Sequence, residues 1–291
     1  MKIFEDLFDR PRAEAVLWLS ALCLVLDAPE LAQVNFLGVL VSFLGLILLL
    51  SRGLLLKRSS WLAVFAALTV VVGLSWANVV NHLYLYAYWA LACALAVEHE
   101  KSEEALSRSA RLLIGAAFLL AAGEKVLRGE FCDGSFMHGL ALWDNRFHAI
   151  SVALGGLNLQ ALLANQRLKT AFELYPAQIV SIRLVTSGAL RTASIVLAWW
   201  TLLIEGAIGL SFVLPKPSWF AEKRDWFLMG FIVPTYLLAQ VPQFGMILAV
   251  LGFAQCANAK MRRVYLAAFA LLAFADHFAP QLVDAGVKFL L

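Results

Sequence analysis

The stretch TASIVLAWWTLLIEGAIGLSFVL, residues 192–214, decides the fold class, because a run this long with a single charged residue, Glu205, is typical of a membrane-crossing helix. Roughly 20 mostly apolar residues are needed to cross the hydrocarbon core of a bilayer. A charge inside such a helix is costly unless it is paired, so we predict a functional or paired role for Glu205. If Glu205 lies high in the membrane, its predicted partner is Arg183 or Arg191.

Apolar runs of this kind recur along the whole chain. Hydrophobic residues make up 62% of the sequence and charged residues 15%, with a mean hydropathy of +0.80, whereas a soluble domain has about 25% charged residues. The predicted spans are 13–28, 31–50, 61–80, 83–97, 109–123, 192–214, 225–240, 243–257 and 263–280. The sequence therefore predicts an all-α, polytopic membrane helical bundle of about nine transmembrane helices in one domain, residues 1–291. For the short first span, an interfacial helix is the alternative.

The basic residues are concentrated at the N-terminus and in every second loop between the predicted spans. Cytoplasmic loops carry an excess of Lys and Arg. The basic residues of the N-terminus and of every second loop are Lys2, Arg10, Arg12, Arg52, Lys57, Arg58, Lys101, Arg108, Arg111, Lys216, Lys223, Arg224, Lys260, Arg262 and Arg263. The N-terminus is thus predicted to be cytoplasmic, and the long segment 124–191 to lie on the outer face. Within it, FHAISVALGGLNLQALLA (147–164) is predicted to form a re-entrant or interfacial helix. The net charge of +3 is spread over several loops and predicts no nucleic-acid partner.

Two polar stretches meet the membrane at the predicted outer face. AAGEKVLRGEFCDG (121–134) ends the fifth span, and NHLYLYAYWALA (81–92) begins the fourth. The topology therefore brings Lys125, Glu124 and His82 to one membrane depth. The alternative is a purely structural role, in which a lysine snorkels at a helix end and the tyrosines of 81–92 form an interfacial aromatic belt.

These two stretches also carry a resemblance to a known family. NHLYLYAYWALA resembles the Asn-His-x-Tyr-Leu-Tyr stretch of vitamin K-dependent gamma-carboxylases. AAGEKVLRGEFCDG resembles their Ala-Gly-x-Lys-Lys-Leu segment, and WWTLLIEGAIGL (199–210) resembles their helix with an internal glutamate. The chain is accordingly similar to the horizontally transferred transmembrane domain family, as a bacterial member that consists of the membrane domain.

The resemblance implies an enzyme that uses a membrane hydroquinone with oxygen to remove a proton from a glutamate side chain, to which carbon dioxide adds. It implies catalytic roles for Lys125, His82 and Glu205, with Lys125 as the base that deprotonates the hydroquinone. A lysine is a base only when neutral, and partial burial favours that form. The implied cofactor-binding residues are Asn81, Tyr84, Tyr86 and Trp200. The implied location is the bacterial inner membrane, with the site on the outer side.

The sequence departs from the family at one reactive position. The family lysine that directly precedes the leucine is replaced by Val126, and Glu124 lies beside Lys125. Either Lys125 is the base from one position earlier, a rotation of about 100° on a helix, or the deprotonation chemistry is absent. Since the chain ends shortly after its last predicted span, propeptide-directed carboxylation by this chain alone is not expected.

Two function classes follow from these residues. The first is a gamma-carboxylase-like lyase that acts on a peptide or small acid, with quinol, oxygen and carbon dioxide as co-substrates. The second is a non-enzymatic membrane subunit that binds a partner protein or a lipid. No metal is predicted, because His82, His138, His148 and His277 lack the i, i+4 spacing of a helical ligand pair. The cysteines show no paired spacing and predict no disulfide.

Overall fold

The computed structural model describes residues 10–76, 81–175, 181–215, 217–238 and 241–290, and side chains as far as His277. Within these residues every regular element is helical. The α-helices are α1 Arg12–Leu26, α2 Ala28–Val34, α3 Phe36–Leu50, α4 Arg52–Leu55, α5 Arg58–Leu74, α6 Asn81–Ala96, α7 Ser102–Arg128, α8 Ser135–Trp143, α9 His148–Gly155, α10 Leu159–Leu174, α11 Gly188–Val213, α12 Trp219–Leu238, α13 Pro242–Gln255 and α14 Ala259–Leu290, with a 3-10 helix at Asn145–Phe147. The all-α prediction is confirmed.

Each predicted span overlaps one or two helices, but several of its predicted ends differ from the helix ends. The span 31–50 is two helices, α2 and α3, because Asn35 adopts an extended conformation between them with φ −170°. The Asn35 side chain accepts a hydrogen bond from the Gly38 amide at 3.2 Å and donates one to Ser75 Oγ at 2.7 Å. The end of the predicted span 61–80 lies beyond α5, and residues 77–80 lie outside the described residues.

Helix length separates α11 from most of the other apolar helices. Among the described residues, α11, with 26 residues and a mean hydropathy of 1.8 over its 18-residue window, is the one helix that meets both the length and the composition expected of a membrane span. The apolar helices α3, α5 and α13 have 15, 17 and 14 residues. At 1.5 Å per residue they are about 21–26 Å long, shorter than the roughly 30 Å hydrocarbon core. The crossing of a membrane by nine helices therefore stays a prediction.

Helix α13 lies at the centre of the bundle and is packed against α14, α7, α1, α12 and α6. Every residue from Gly245 to Ala254 is buried. Two glycines allow this close packing, because a Cβ atom at Gly252 would lie 2.2 Å from the Tyr265 ring, and one at Gly245 would lie 2.7 Å from the Tyr236 ring. The core of the fold is therefore organised around a helix with no exposed face along its middle.

Polar side chains gather at the two ends of α13. At one end, Arg12 donates to the Ala254 carbonyl and Tyr265 donates to Asp225 at 2.9 Å. We call this the basic end and define it by Arg12, Arg111, Arg224, Arg262, Asp225 and Gln255. At the other end, Gln243 donates to Asp276 at 2.8 Å. We call this the acidic end and define it by Asp27, Glu30, His82, Gln243 and Asp276. The bundle thus has an apolar middle between two ends of different charge.

The segment 124–191 forms a separate helical layer against the N-terminal half of α11. Helices α8 and α10 share a small apolar core with α11, made by Ala141, Leu142, Leu157, Leu162 and Leu190. The single re-entrant or interfacial helix predicted at 147–164 is instead two helices, α9 and α10, because Gly156 at φ +64° ends α9. Asn165 pairs with both backbone groups of Val185 at 2.8 Å and so anchors the non-helical residues 181–187.

Candidate functional site

Helices α7 and α11 pack closely enough to bring two distant charged residues together. A Cβ atom at Gly115 would lie 2.7 Å from the Val213 side chain, and one at Gly209 would lie 2.7 Å from the Leu119 side chain. Along the same interface, toward the C-terminus of α7, the ammonium group of Lys125 meets the carboxylate of Glu205. Glycine-mediated packing therefore positions an ion pair between residues 80 positions apart.

The Lys125–Glu205 ion pair is largely enclosed. Lys125 Nζ bonds both carboxylate oxygens of Glu205, at 2.5 Å to Oε1, and the two side chains are 22% and 8% exposed. The Phe131 ring covers the ammonium group at 5.1 Å from its centroid. A charge-assisted hydrogen bond of this kind provides a direct path for a proton between amine and carboxylate.

The predicted partners of Glu205 are wrong. Arg191 lies 14 residues before Glu205 on the same helix, about 21 Å away along its axis, and Arg183 precedes that helix. Glu124, the sequence neighbour of Lys125, pairs with Arg128 at 2.7 Å. Adjacent residues on a helix point about 100° apart, so Glu124 and Lys125 face different neighbours.

A second ionic group lies at the acidic end. His82 Nε2 is 3.5 Å from Asp27 Oδ2 and 3.6 Å from Glu30 Oε2. Asp27 is 0% exposed and His82 5%, while Glu30 is half-buried. Neither carboxylate oxygen of Asp27, nor His82 Nε2, has a hydrogen-bond partner among the described residues. Burial raises the pKa of the Glu30 carboxyl, and the charge of His82 opposes that rise.

Sequence reasoning missed Asp27 and Glu30, which lie where the predicted spans 13–28 and 31–50 meet, because it assigned no role to this boundary. A signal was present, since residues three apart lie on one side of a helical turn. Asp27 is the cap of α1, and Glu30 is in the first turn of α2. Their side chains therefore turn toward the start of α6, where His82 lies.

His82 and Lys125 belong to different ionic groups. The His82 ring lies 6.3 Å from the Phe244 ring, which lies 5.7 Å from the Tyr236 ring, and Tyr236 is within electrostatic range of Glu205. The described contacts thus connect the two groups through two aromatic side chains. Joint action of both groups on one quinol stays a prediction.

The predicted cofactor-binding residues are dispersed over the bundle. Tyr86 is buried against the His82 ring at 5.8 Å, with no hydrogen-bond partner for its hydroxyl among the described residues. Tyr84 packs edge-on against Trp76 at 6.0 Å. Trp200 is 60% exposed and lines a surface groove of about 400 Å³ with Trp219, Trp226 and Phe227. The side chain of Asn81 lies outside the described residues.

Two other histidines lie in different parts of the structure, His138 in the helical layer of segment 124–191 and His277 in α14. His138 contacts Thr186 at 3.0 Å and lies in a groove of about 460 Å³ with Asp133 and Arg191. Burial and, to a smaller extent, Arg191 lower the pKa of His138. His277 lies 3.4 Å from Asp276. The described contacts therefore place these histidines in separate surroundings.

Comparison with known proteins identifies no relative. No known protein family, curated protein or solved structure matches the chain. The resemblance to the horizontally transferred transmembrane domain family therefore stays a prediction that rests on the motifs at 81–92, 121–134 and 199–210.

Proposed function

We propose that the chain is an integral membrane protein of the bacterial inner membrane, with its basic end in the cytoplasm. The support is the outer surface of the bundle, where large apolar side chains are exposed on many helices. Phe36 is 77% exposed, Leu50 79% and Leu120 73%. Exposure of so many large apolar side chains is unfavourable in water and favourable in lipid. The separation of polar groups into two ends, with arginines concentrated at one, follows the positive-inside rule.

The orientation predicts which residues a membrane-impermeant thiol reagent reaches. Ser59 and Ser135 are both exposed, and in the proposed topology they lie on opposite sides of the membrane. Cysteines placed at these two positions, in a Cys132→Ser background that removes the half-buried native thiol, should label differently. In intact cells the reagent should reach position 135 only, and after permeabilisation both. Labelling of both positions in intact cells would contradict the topology.

For the activity, we propose quinol-dependent oxygen chemistry in which the Lys125–Glu205 pair accepts the hydroquinone proton. The supporting observation is the ion pair itself, since it joins the residues of two family-like motifs within the bundle. A bound hydroquinone, with oxygen, would supply the strong base that removes the glutamate proton before carbon dioxide adds. The protein's task is then to hold the quinol hydroxyl, accept its proton and exclude water.

The ion pair provides the neutral lysine that this task needs. Transfer of one proton along the existing bond from Lys125 to Glu205 yields a neutral amine and a neutral carboxylic acid. An apolar environment lowers the free energy of this transfer relative to water, because charged groups lose more solvation there than neutral groups do. The amine would then accept a proton from a bound hydroquinone and return to its ammonium form. Glu205 thus acts as the proton acceptor for Lys125.

The surroundings of Lys125 fit a lipid-soluble ligand. Its side chain is partly exposed, and its neighbours Val126 and Leu127 are 56% and 88% exposed. Because the Lys125 side chain is 22% exposed at this apolar helix end, a quinol dissolved in the bilayer would have access to the amine. The Phe131 ring against the ammonium group adds an aromatic face to the same place. Val126, which replaces a family lysine, forms part of this surface.

Hydroquinone-dependent oxygen uptake by purified protein in lipid tests this proposal. Lys125→Arg keeps a cation beside Glu205 but removes the base, because a guanidinium is not deprotonated in proteins. We expect at least a hundredfold lower turnover in Lys125→Arg and Glu205→Gln, as is typical for loss of a general base. The matched control is Glu124→Gln, which changes the exposed neighbour and should keep wild-type turnover. Absence of uptake by wild type would favour the non-enzymatic membrane subunit, whereas full turnover by Lys125→Arg would exclude Lys125 as the base.

A further inference from the structure

The three side chains Asp27, Glu30 and His82 form a small group with an unusual deficit of hydrogen bonds. One ligand atom from each residue lies within 4.8 Å of the other two. Both oxygens of the fully buried Asp27 carboxylate and the buried Nε2 of His82 lack hydrogen-bond partners among the described residues. Buried polar atoms are almost always satisfied, because an unsatisfied one costs about 1–3 kcal/mol. These atoms face one another and require a common partner.

The spacing of these atoms fits a shared ion better than hydrogen bonds. The distances from His82 Nε2 to Asp27 and Glu30, 3.5 and 3.6 Å, exceed the usual 2.7–3.2 Å of a hydrogen bond. Two ligands of one tetrahedral ion with bonds of about 2.0–2.1 Å lie roughly 3.4 Å apart. The half-buried Glu30 side chain has the freedom to close the remaining gap to Asp27.

The charges around the group also call for a cation. Asp276, within electrostatic range of Asp27, adds a third carboxylate to the same end of the bundle. Arg146 is the basic residue near Glu30, but it forms three hydrogen bonds to the side chain of Asp144, which balances its charge. Protonation of His82 alone would leave the two carboxylates of the group with one positive charge. A divalent ion would neutralise both.

We propose that Asp27, Glu30 and His82 bind one divalent transition-metal ion, of which Zn²⁺ is the representative. One imidazole and two carboxylates are a donor set suited to Zn²⁺, Mn²⁺ or Fe²⁺. Three protein ligands leave a position for water or a substrate oxygen, as in catalytic rather than structural sites. A metal at this place is contrary to the expectation from the sequence that no metal is bound. It does not depend on the proposed quinol chemistry, because it concerns metal binding alone.

Calorimetric titration of Zn²⁺ into chelator-treated protein, purified in detergent without a polyhistidine tag, tests the site. We expect one ion per chain with micromolar or tighter affinity. His82→Gln and Glu30→Gln should each weaken binding at least tenfold, since loss of even an outer partner of a metal ligand costs 10–100-fold. The matched control is His277→Gln, an exposed histidine at the same end of the bundle, which should bind Zn²⁺ as wild type does.

Co²⁺ provides a second measurement, because a tetrahedral site with nitrogen and oxygen ligands produces visible absorption bands. Wild type and His277→Gln should show these bands, and Glu30→Gln, whose half-buried position makes it the substitution safest for folding, should lack them. Failure of wild type to bind one Zn²⁺ would overturn the proposal. Unchanged affinity in Glu30→Gln would overturn it equally, and would leave a carboxylic proton as the shared partner of these atoms.

Discussion

Replacement of Lys125 by methionine is expected to lower the free energy of unfolding by about 3 kcal/mol, the lower end of the range for breaking a buried ion pair. The substitution keeps the length of the side chain and leaves the Glu205 carboxylate, which is 8% exposed, without its cation. An uncompensated charge in an apolar interior is among the largest single destabilising effects in proteins. Chemical unfolding in micelles, followed by tryptophan fluorescence, measures the change.

Replacement of the partner residue, Glu205, should lower the free energy of unfolding by a smaller amount. In Glu205→Leu the lysine remains, but it is 22% exposed and can turn its ammonium group toward the membrane surface. We expect a loss of about 1 kcal/mol in this variant, within the ordinary range for point substitutions. The double variant Lys125→Met/Glu205→Leu should return to within about 1 kcal/mol of wild type, because apolar residues commonly replace a buried ion pair without loss.

The complete double-mutant cycle isolates the interaction between the two residues. Glu124→Gln is the matched control, since it breaks the exposed pair with Arg128 and should change stability by less than about 0.5 kcal/mol. Additive effects of Lys125→Met and Glu205→Leu, with no recovery in the double variant, would contradict the direct pairing of Lys125 with Glu205.

Gly252→Ala is expected to lower the free energy of unfolding by about 3 kcal/mol, through overpacking of the central helix. The new Cβ atom would lie 2.2 Å from Tyr265 Cε1 and 2.6 Å from Cδ1 and Cζ. Tyr265 is fully buried, and its hydroxyl donates to Asp225 at 2.9 Å. The ring therefore has no room to move without breaking this bond or separating α13 from α14.

Gly230→Ala is the control for this effect. Gly230 is an exposed glycine within α12, and a Cβ atom there would meet no atom within 4 Å. Because alanine is favoured over glycine in a helix by about 1 kcal/mol, this variant should match or exceed the stability of wild type. Thermal unfolding of the two variants side by side makes the comparison. Equal stability of the two would show that α13 and α14 do not pack at the distance described.

The predicted spans located the helices well but their ends poorly. Helix α7 begins at Ser102, seven residues before the predicted span 109–123, and continues to Arg128. Hydropathy detects only the apolar part of a helix, whereas backbone hydrogen bonds continue through the charged turns at both ends. The break at Asn35 was missed for a related reason, because it depends on a side-chain bond to Ser75 across the bundle.

Sequence reasoning selected Glu205 because it interrupts an apolar helix, and Lys125 and His82 because they lie at the ends of predicted spans. It assigned the wrong partners to Glu205 and overlooked the carboxylates of Asp27 and Glu30. Glu205 meets a residue 80 positions away, and Asp27 meets His82 across four intervening helices of the chain. Apolar periodicity along one helix carries no information about which polar residue of another helix lies opposite.

The sequence by itself determined the all-helical fold and the concentration of polar side chains near helix ends, because length and hydropathy decide which segments can form buried or lipid-facing helices. Only the tertiary structure decided which of these polar side chains meet. That choice depends on interhelical distance, which small residues such as Gly115 and Gly209 set for α7 and α11. It also depends on the break at Asn35, which separates α2, with Glu30, from the longer helix α3. Close contact between helices is a property of two surfaces together, and neither sequence segment specifies it alone.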